Sequence, residues 1–245
     1  DIEKFPGYGT NMIQIEFGPS HIFPAEDKVT NNAVNEFIAV AERAAKSNVA
    51  VNLLLSPHYF PDWMLKKYPH LSRCNGGFLG FCIDAPESKS LMEKYLRTVI
   101  PQIKDLPALH SVCLTNEPMY TESRNCVYAQ QMWHEWLKKK HGDITKLNQK
   151  YNSAYISFDE IAIPAPGLKA EPLFYDWCKF NNDRFAGWHK WMADIIHDLA
   201  PQLPVHAKIM IFNSVSNRDT AGWGIDPELF GELSQINGND DYKFY

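Results

Sequence analysis

The fold is decided by residues 49–55, which read VAVNLLL in a chain of 245 residues. This run is apolar along nearly its whole length, which is typical of a β-strand that is buried on both faces. Residues 205–211, which read VHAKIMI, have the same character. Strands of this kind belong to parallel sheets, because helices cover both faces of such sheets. The two runs therefore predict an α/β domain.

Further strands and helices are predicted on either side of these runs. The other strands are expected at 11–17, 110–115 and 236–245. Helices are expected where apolar residues recur at helical spacing, near 34–45, 86–105, 125–141 and 174–199. Strands that alternate with helices pair in parallel through right-handed crossovers. Since no linker, repeat or low-complexity segment divides the chain, residues 1–245 are predicted to form one domain.

Two architectures fit this alternation, the doubly wound open sheet and the (β/α)8 barrel. The open sheet usually has a glycine-rich phosphate turn after its first strand, and residues 17–21 read FGPSH instead. A complete barrel has eight strands in about 250 residues, whereas five are predicted here. A partial (β/α)8 TIM barrel is therefore predicted, as a piece of a longer protein.

Composition excludes several classes of protein. Lysine and arginine number 24 against 29 acidic residues, a net charge of −5, so neither a nucleic-acid partner nor a polybasic membrane contact is expected. No apolar run reaches the roughly 18 residues of a membrane span. The first residues lack the apolar stretch of a signal peptide. The compartment, cytoplasmic or secreted, and a homo-oligomeric state stay open.

The cysteines and acidic residues predict no metal or cofactor. Five cysteines occur without a CxxC pair or a spacing typical of zinc sites, and they are expected to be buried thiols. They are Cys74, Cys82, Cys113, Cys126 and Cys178. A bridge between Cys74 and Cys82 is not indicated by spacing alone. No nucleotide loop is found either, so no cofactor is predicted.

The strongest chemical signal is the pair Asn116-Glu117, which follows the predicted strand 110–115. The loops after barrel strands build the active site. A glutamate that leaves an apolar strand can have a raised pKa and protonate a glycosidic oxygen. An asparagine beside it can bind the sugar 2-hydroxyl. Taken alone, the same residues are more typical of a strand that leads into a helix N-terminus, where a glutamate is a favourable charge in the first turn.

Other strand ends carry candidate sugar-binding residues. Aromatic faces stack on the C–H faces of sugars, and carboxylates accept hydrogen bonds from sugar hydroxyls. The candidates are Glu16, His58, Trp63 and Asp240. For His58 the alternative is a histidine satisfied under the rim of the barrel. For Trp63 the alternative is packing within its own loop.

These motifs, taken in order along the chain, resemble glycoside hydrolase clan A, and family 42 most closely. The resemblance covers 16–27, 61–69, 82–87, 115–117, 136–161 and 240–242. It implies that the five strands are barrel strands two to six. Pro19 stands where the family has an aromatic residue, and Gly80-Phe81 replace its basic and aromatic residues before Cys82. A neighbouring specificity of the clan therefore stays open.

The resemblance implies a retaining hydrolase of β-linked sugars, with galactosides as the substrates typical of family 42. Glu117 is then the general acid/base, and Asn116 binds the 2-hydroxyl. The nucleophile of such enzymes is a glutamate after strand seven, which is expected beyond residue 245. The rival hypothesis is a carbohydrate-binding or scaffold module that has kept the fold without catalysis.

Overall fold

The computed structural model of the chain describes residues 1–74, 77–165, 171–210 and 221–240. The strands are β1 (Met12–Glu16), β2 (Ala50–Leu54), β3 (Leu109–Asn116), β4 (Val205–Met210) and β5 (Gly238–Asp240). The α-helices are α1 (Pro19–Ile22), α2 (Asn32–Lys46), α3 (Asp62–Lys67), α4 (Pro86–Ile103), α5 (Val127–His141), α6 (Ile144–Tyr151), α7 (Pro172–Leu199) and α8 (Pro227–Leu233). Short 3-10 helices lie at Ile2–Tyr8, Pro69–Arg73 and Phe158–Glu160.

Within these ranges the strands form one parallel sheet in the order β1-β2-β3-β4-β5. Strands that neighbour each other in sequence also neighbour each other in a (β/α)8 barrel. A doubly wound sheet instead reverses its order at a switch point. The sequential order confirms the partial barrel and rules out the open-sheet alternative.

The core lies between this sheet and the helices that cover its outer face. The predicted burial on both faces is confirmed for β2, in which Val51 and Leu53 are buried on one face and Asn52 and Leu54 on the other. Helix α2 contacts β2, α7 contacts β3, and α4 packs against both helices. Trp133, Trp177 and Tyr95 are the largest side chains that this packing buries completely.

The four predicted helices are confirmed as α2, α4, α5 and α7. Helix α5 ends at Gly142, whose φ of 80° suits a residue without a Cβ. Helix α4 begins at Pro86 and continues through Pro101. The remaining short helices were not predicted, because four to eight residues give too little periodicity. The predicted strand 236–245 is found as β5, and residues 241–245 lie outside the described ranges.

Polar side chains of four strands meet on one face of the sheet. Gln14 donates to Asn52 at 2.7 Å, and Asn52 donates to Ser111 at 2.7 Å. The same Asn52 amide lies 3.0 Å from Nε2 of His206. Side chains of neighbouring strands converge in such layers on the inner face of a barrel. β5 passes so close that a Cβ on Gly238 would lie 2.1 Å from His206 Nδ1.

Candidate functional site

Glu117 leaves the end of β3 in an unusual backbone conformation. Its φ is 45°, in the left-handed region that residues other than glycine adopt rarely and at a cost of about 1 kcal/mol or more. Its backbone N–H donates to the carbonyl of Lys208 in β4 at 2.9 Å. Asn116, the last residue of β3, is the register partner of Lys208. Both Asn116 and Glu117 are half-buried at the carboxyl end of the sheet.

Tyr120 anchors the loop that follows Glu117. The tyrosine is fully buried, and its hydroxyl donates to the carbonyl of Phe81 at 2.7 Å. Its backbone N–H donates to the carbonyl of Trp223 at 2.8 Å. Its carbonyl accepts a hydrogen bond from the side chain of Asn181 in α7 at 2.6 Å. The loop of Glu117 is thereby tied to two other loops and to a helix.

Arg184 of α7 adds a buried charge to this anchor. Its Nε and Nη2 donate to Asp84 Oδ2 at 2.9 and 2.6 Å, and its Nη1 donates to Ser123 at 2.8 Å. Its guanidinium carbon lies 4.7 Å from the centre of the Tyr120 ring. Burial by itself would lower the pKa of Arg184, but the charge of Asp84 raises it above the ordinary value. We call Arg184, Asp84, Ser123, Asn181 and Tyr120 the buried clamp.

His189, a buried residue about one turn after Arg184 in α7, contacts β3. His189 lies with Nε2 2.8 Å from the hydroxyl of Thr115, the residue before Asn116. Its Nδ1 lies 2.8 Å from the carbonyl of Phe185. Burial lowers the pKa of His189 to about 4. The imidazole is therefore neutral at pH 7, when Nδ1–H donates to Phe185 and Nε2 accepts from Thr115.

Glu16, the last residue of β1, is held by two hydroxyl groups. Ser56 donates to its Oε2 at 2.8 Å, and Tyr59 donates to its Oε1 at 3.2 Å. Ser56 is fully buried and has a φ of 45°. The charge of Glu16 raises the pKa of Tyr59. A Cβ on Gly18 would lie 2.3 Å from the Ser56 carbonyl oxygen, so the close approach of the two loops requires glycine.

His58 lies beside this carboxylate and is half-buried. Its burial lowers its pKa, and the charge of Glu16 offsets only part of that effect. The imidazole is neutral at pH 7 and can donate or accept a hydrogen bond. Since the carboxyl ends of parallel strands share one edge of the sheet, Glu16, His58, Asn116 and Glu117 lie on the same rim.

Trp63 lies elsewhere. Its indole N–H donates to the carbonyl of Phe23 at 2.9 Å, and its ring lines a cavity of about 450 Å³ beside α4. Among the described residues that line this cavity, none is another predicted site residue. These contacts favour the alternative in which Trp63 packs its own loop. Asp240 is placed in β5, where its backbone is the register partner of Met210.

Three cysteines that are distant in sequence form one cluster. The Sγ atoms of Cys74, Cys82 and Cys126 lie within 4.8 Å of one another, and those of Cys82 and Cys126 are 2.9 Å apart. Hydrogen bonds from Cys74 and Cys82 lower the pKa of Cys126, which also accepts the N–H of Ala129 at the start of α5. Three such sulfur ligands suit Zn²⁺ or another soft cation.

The predicted burial of all five cysteines is confirmed, and all are free thiols. The cluster itself was missed, because Cys82 and Cys126 are 44 residues apart and match no metal motif. The contacts of Ser56, Tyr59 and the buried clamp were also missed, because they join residues that are far apart in the sequence. Across the described ranges, no helix combines the length and the apolarity needed to cross a bilayer.

Comparison with known proteins is consistent with this geometry. A family model for glycoside hydrolase family 42, described as beta-galactosidase, matches residues 1–231. The beta-galactosidase LacZ of Heyndrickxia coagulans is 22% identical over 95% of this chain and 38% of its own length. The beta-galactosidase BgaA of a Planococcus species is 24% identical over 84% of this chain and 34% of its own length.

Solved structures resemble the chain over nearly its whole length. An exo-carrageenase from Bacteroides ovatus superposes with a TM-score of 0.83 at 23% identity, covering 97% of this chain and 33% of the other. A beta-galactosidase from Bacillus circulans superposes with a TM-score of 0.81 at 19% identity, covering 99% and 37%. At such identities the likeness shows the fold. The chain spans between 33% and 38% of the length of these relatives and structures.

Proposed function

This chain belongs to glycoside hydrolase family 42, the family described as beta-galactosidase, and on that premise we propose that it is part of the catalytic barrel of a retaining β-galactoside hydrolase. Residues 1–245 then form a single domain that holds barrel strands two to six. The observation that carries the proposal is the position of Glu117. Glu117 follows the last residue of the buried strand β3, Asn116, and its own backbone is strained. Its loop continues directly into Tyr120 of the buried clamp.

In the proposed reaction Glu117 works first as an acid and then as a base. It protonates the oxygen of the leaving sugar while the glycosidic bond breaks, and it later removes a proton from the water that releases the bound sugar. Asn116 binds the 2-hydroxyl, a contact that strengthens in the transition state. Glu16 and His58 bind other hydroxyls of the galactoside, and Asp240 is proposed to line the same pocket.

A retaining mechanism needs a second carboxyl group about 5–5.5 Å from the first. The family resemblance assigns this nucleophile to a glutamate after strand seven, outside residues 1–245. Glu16 suits hydroxyl binding better, because Ser56 and Tyr59 already donate to both of its oxygens.

The proposal is tested by Glu117→Ala in the protein expressed from its whole gene. We expect hydrolysis of an aryl β-galactoside to fall about 100-fold or more, because the proton donor is lost. Azide should partly restore the rate by replacing water as the second nucleophile. Glu93→Ala is the control, since Glu93 is an exposed carboxylate of α4 that pairs with Arg97. Wild-type activity in Glu117→Ala would refute the proposal.

A further inference from the structure

Two thiols of the cysteine cluster are in direct contact. The Sγ atoms of Cys82 and Cys126 are 2.9 Å apart, although 44 residues separate the two cysteines in the chain. Because the S–S length of a disulfide is about 2.05 Å, the two sulfur atoms would need to approach each other by less than about 1 Å to form that bond. Both cysteines are free thiols, so the pair is able to form it.

The backbone holds these two thiols in place. Cys82 donates its N–H to the carbonyl of Leu71 at 2.7 Å, and Cys126 donates its N–H to the carbonyl of Ser123 at 3.0 Å. The Sγ of Cys126 also accepts the N–H of Ala129 at 3.4 Å. Both cysteines are almost completely buried. The contact between the two sulfur atoms is therefore set by the fold and not by mobile side chains.

A small cavity leads to the same two thiols. Its volume is about 260 Å³, and Cys82 and Cys126 both line it. The polar side chains that line it with them are those of His70, Arg73, Asn125, Tyr128 and Gln131. Hydrogen peroxide is much smaller than this volume. Cys113 and Cys178 are also buried, but neither lines this cavity, so peroxide is expected to reach the pair first.

We propose that Cys82 and Cys126 are a redox-active pair, which hydrogen peroxide converts into a reversible disulfide bond. The sulfur of Cys126 loses its proton and attacks one oxygen of the peroxide, and the O–O bond breaks. The hydroxide that leaves takes up this proton as water, and Cys126 becomes a sulfenic acid. The sulfur of Cys82 then attacks that of Cys126, the S–O bond breaks, and the hydroxide leaves with the thiol proton of Cys82 as a second water. The two sulfur atoms are oxidised, and the peroxide is reduced.

The disulfide bond would join the two loops that carry part of the buried clamp. Asp84 lies two residues after Cys82, and Ser123 lies three residues before Cys126. A disulfide stabilises a fold mainly by restricting the unfolded chain, and the effect grows with the length of the loop that the bond closes. We therefore expect the oxidised protein to unfold at a higher temperature than the reduced protein.

The experiment treats the protein expressed from its whole gene with hydrogen peroxide and then blocks the remaining thiols with iodoacetamide. Mass spectrometry of unreduced peptides should find Cys82 joined to Cys126, and dithiothreitol should separate them again. Cys82 and Cys126 should lose their reaction with iodoacetamide about tenfold faster than Cys113 and Cys178, because the pair lines the cavity. Thermal unfolding of the same samples should show the higher midpoint in the oxidised protein.

Two variants separate this pair from the third member of the cluster. Cys74→Ser keeps the pair and should form the same bond as the wild type. When Cys82→Ser is added to it, Cys126 has no partner left in the cluster and should stop at the sulfenic acid, which dimedone labels. The inference is overturned if peroxide produces no bond between Cys82 and Cys126, as when a metal ion holds the three thiols. A bond from Cys126 to any other cysteine would overturn it as well.

Discussion

Glu117 and Glu16 lie on the same rim of the sheet, but the protein holds them by different means. Behind Glu117 lies the buried clamp, in which Arg184 and Asp84 are almost wholly removed from water. Glu16 is exposed and is held by the hydroxyls of Ser56 and Tyr59. Loss of one partner of a buried ion pair is destabilising, whereas an exposed carboxylate that loses a hydroxyl donor can bind water in its place.

This difference matches the tasks proposed for the two carboxylates. A proton donor must keep its geometry within a fraction of an ångström, and side chains locked by buried contacts do that. A carboxylate that binds sugar hydroxyls tolerates small movements, because a hydroxyl can rotate to follow it. Changes behind Glu117 are therefore expected to affect the stability of the whole fold, whereas changes at the contacts of Glu16 should affect it less.

Breaking the buried clamp should have the largest effect on stability. Arg184→Met leaves Asp84 buried without its partner, and we expect the free energy of unfolding to fall by about 3–5 kcal/mol. Urea denaturation followed by circular dichroism measures the loss. The matched control is Arg43→Met, which removes an exposed ion pair with Glu3 and should cost less than about 1 kcal/mol.

A second variant separates the charge from the packing of the clamp. Arg184→Met combined with Asp84→Leu removes both charges, and it should recover part of the lost stability because no uncompensated charge remains. Equal losses in Arg184→Met and Arg43→Met would show that the clamp does not differ from a surface pair. The contrast between the two sides of the site would then be lost.

His189, which contacts β3 on the Glu117 side of the site, makes the free energy of unfolding depend on pH. Its pKa is about 4 in the folded protein and near 6.5 in the unfolded chain. Between these values the unfolded state binds a proton that the folded state does not bind, so stability falls as the pH is lowered. We expect this group to cost about 2 kcal/mol between pH 7 and pH 5.

The measurement compares the pH dependence of unfolding in the wild type and in His189→Asn. Asparagine can still donate to the carbonyl of Phe185 but does not titrate. Between pH 7 and pH 5 the free energy of unfolding of the wild type should fall by about 2 kcal/mol more than that of the variant. His58 and His206, whose pKa values burial also lowers, are present in both proteins, so the difference isolates His189. Identical pH profiles would contradict the assignment.

The sequence was sufficient for the parts of the molecule that are local. Residues 49–55 and 205–211 predict their strands because they are apolar along nearly their whole length, and Asn116-Glu117 stands out because it follows a predicted strand directly. The strand order could be argued only from alternation and resemblance. It became definite with the register of neighbouring strands, since register joins residues that are far apart in the chain.

The contacts that hold the site were beyond the reach of the sequence. Arg184 and Asp84 are separated by 100 residues, and Ser56 and Glu16 by 40. One signal was present for the clamp, since Arg184 lies between the apolar positions Phe180 and Phe185 on the buried face of α7. A charge on such a face predicts a buried partner, but only the fold identifies which acidic residue it is.

The smallest effect is expected on the Glu16 side, at Ser56. Ser56→Ala removes the hydrogen bond to Glu16 and keeps a side chain at a φ of 45°, and we expect a loss of about 1 kcal/mol. Ser56→Gly removes the same bond but relieves the left-handed strain, which is worth about 1 kcal/mol. Its stability should therefore stay near that of the wild type.

Thermal unfolding of the two variants gives the strain as the difference between them, because the lost hydrogen bond is common to both. Galactoside affinity adds the functional half of the test. It should fall to a similar extent in Ser56→Ala and Ser56→Gly, since both leave Glu16 with Tyr59 as its remaining hydroxyl donor among the described contacts. If the affinity instead fell only in the variant that loses stability, the position of Glu16 would depend on the backbone conformation of Ser56. Glu16 would then be positioned by a strained backbone, as Glu117 is.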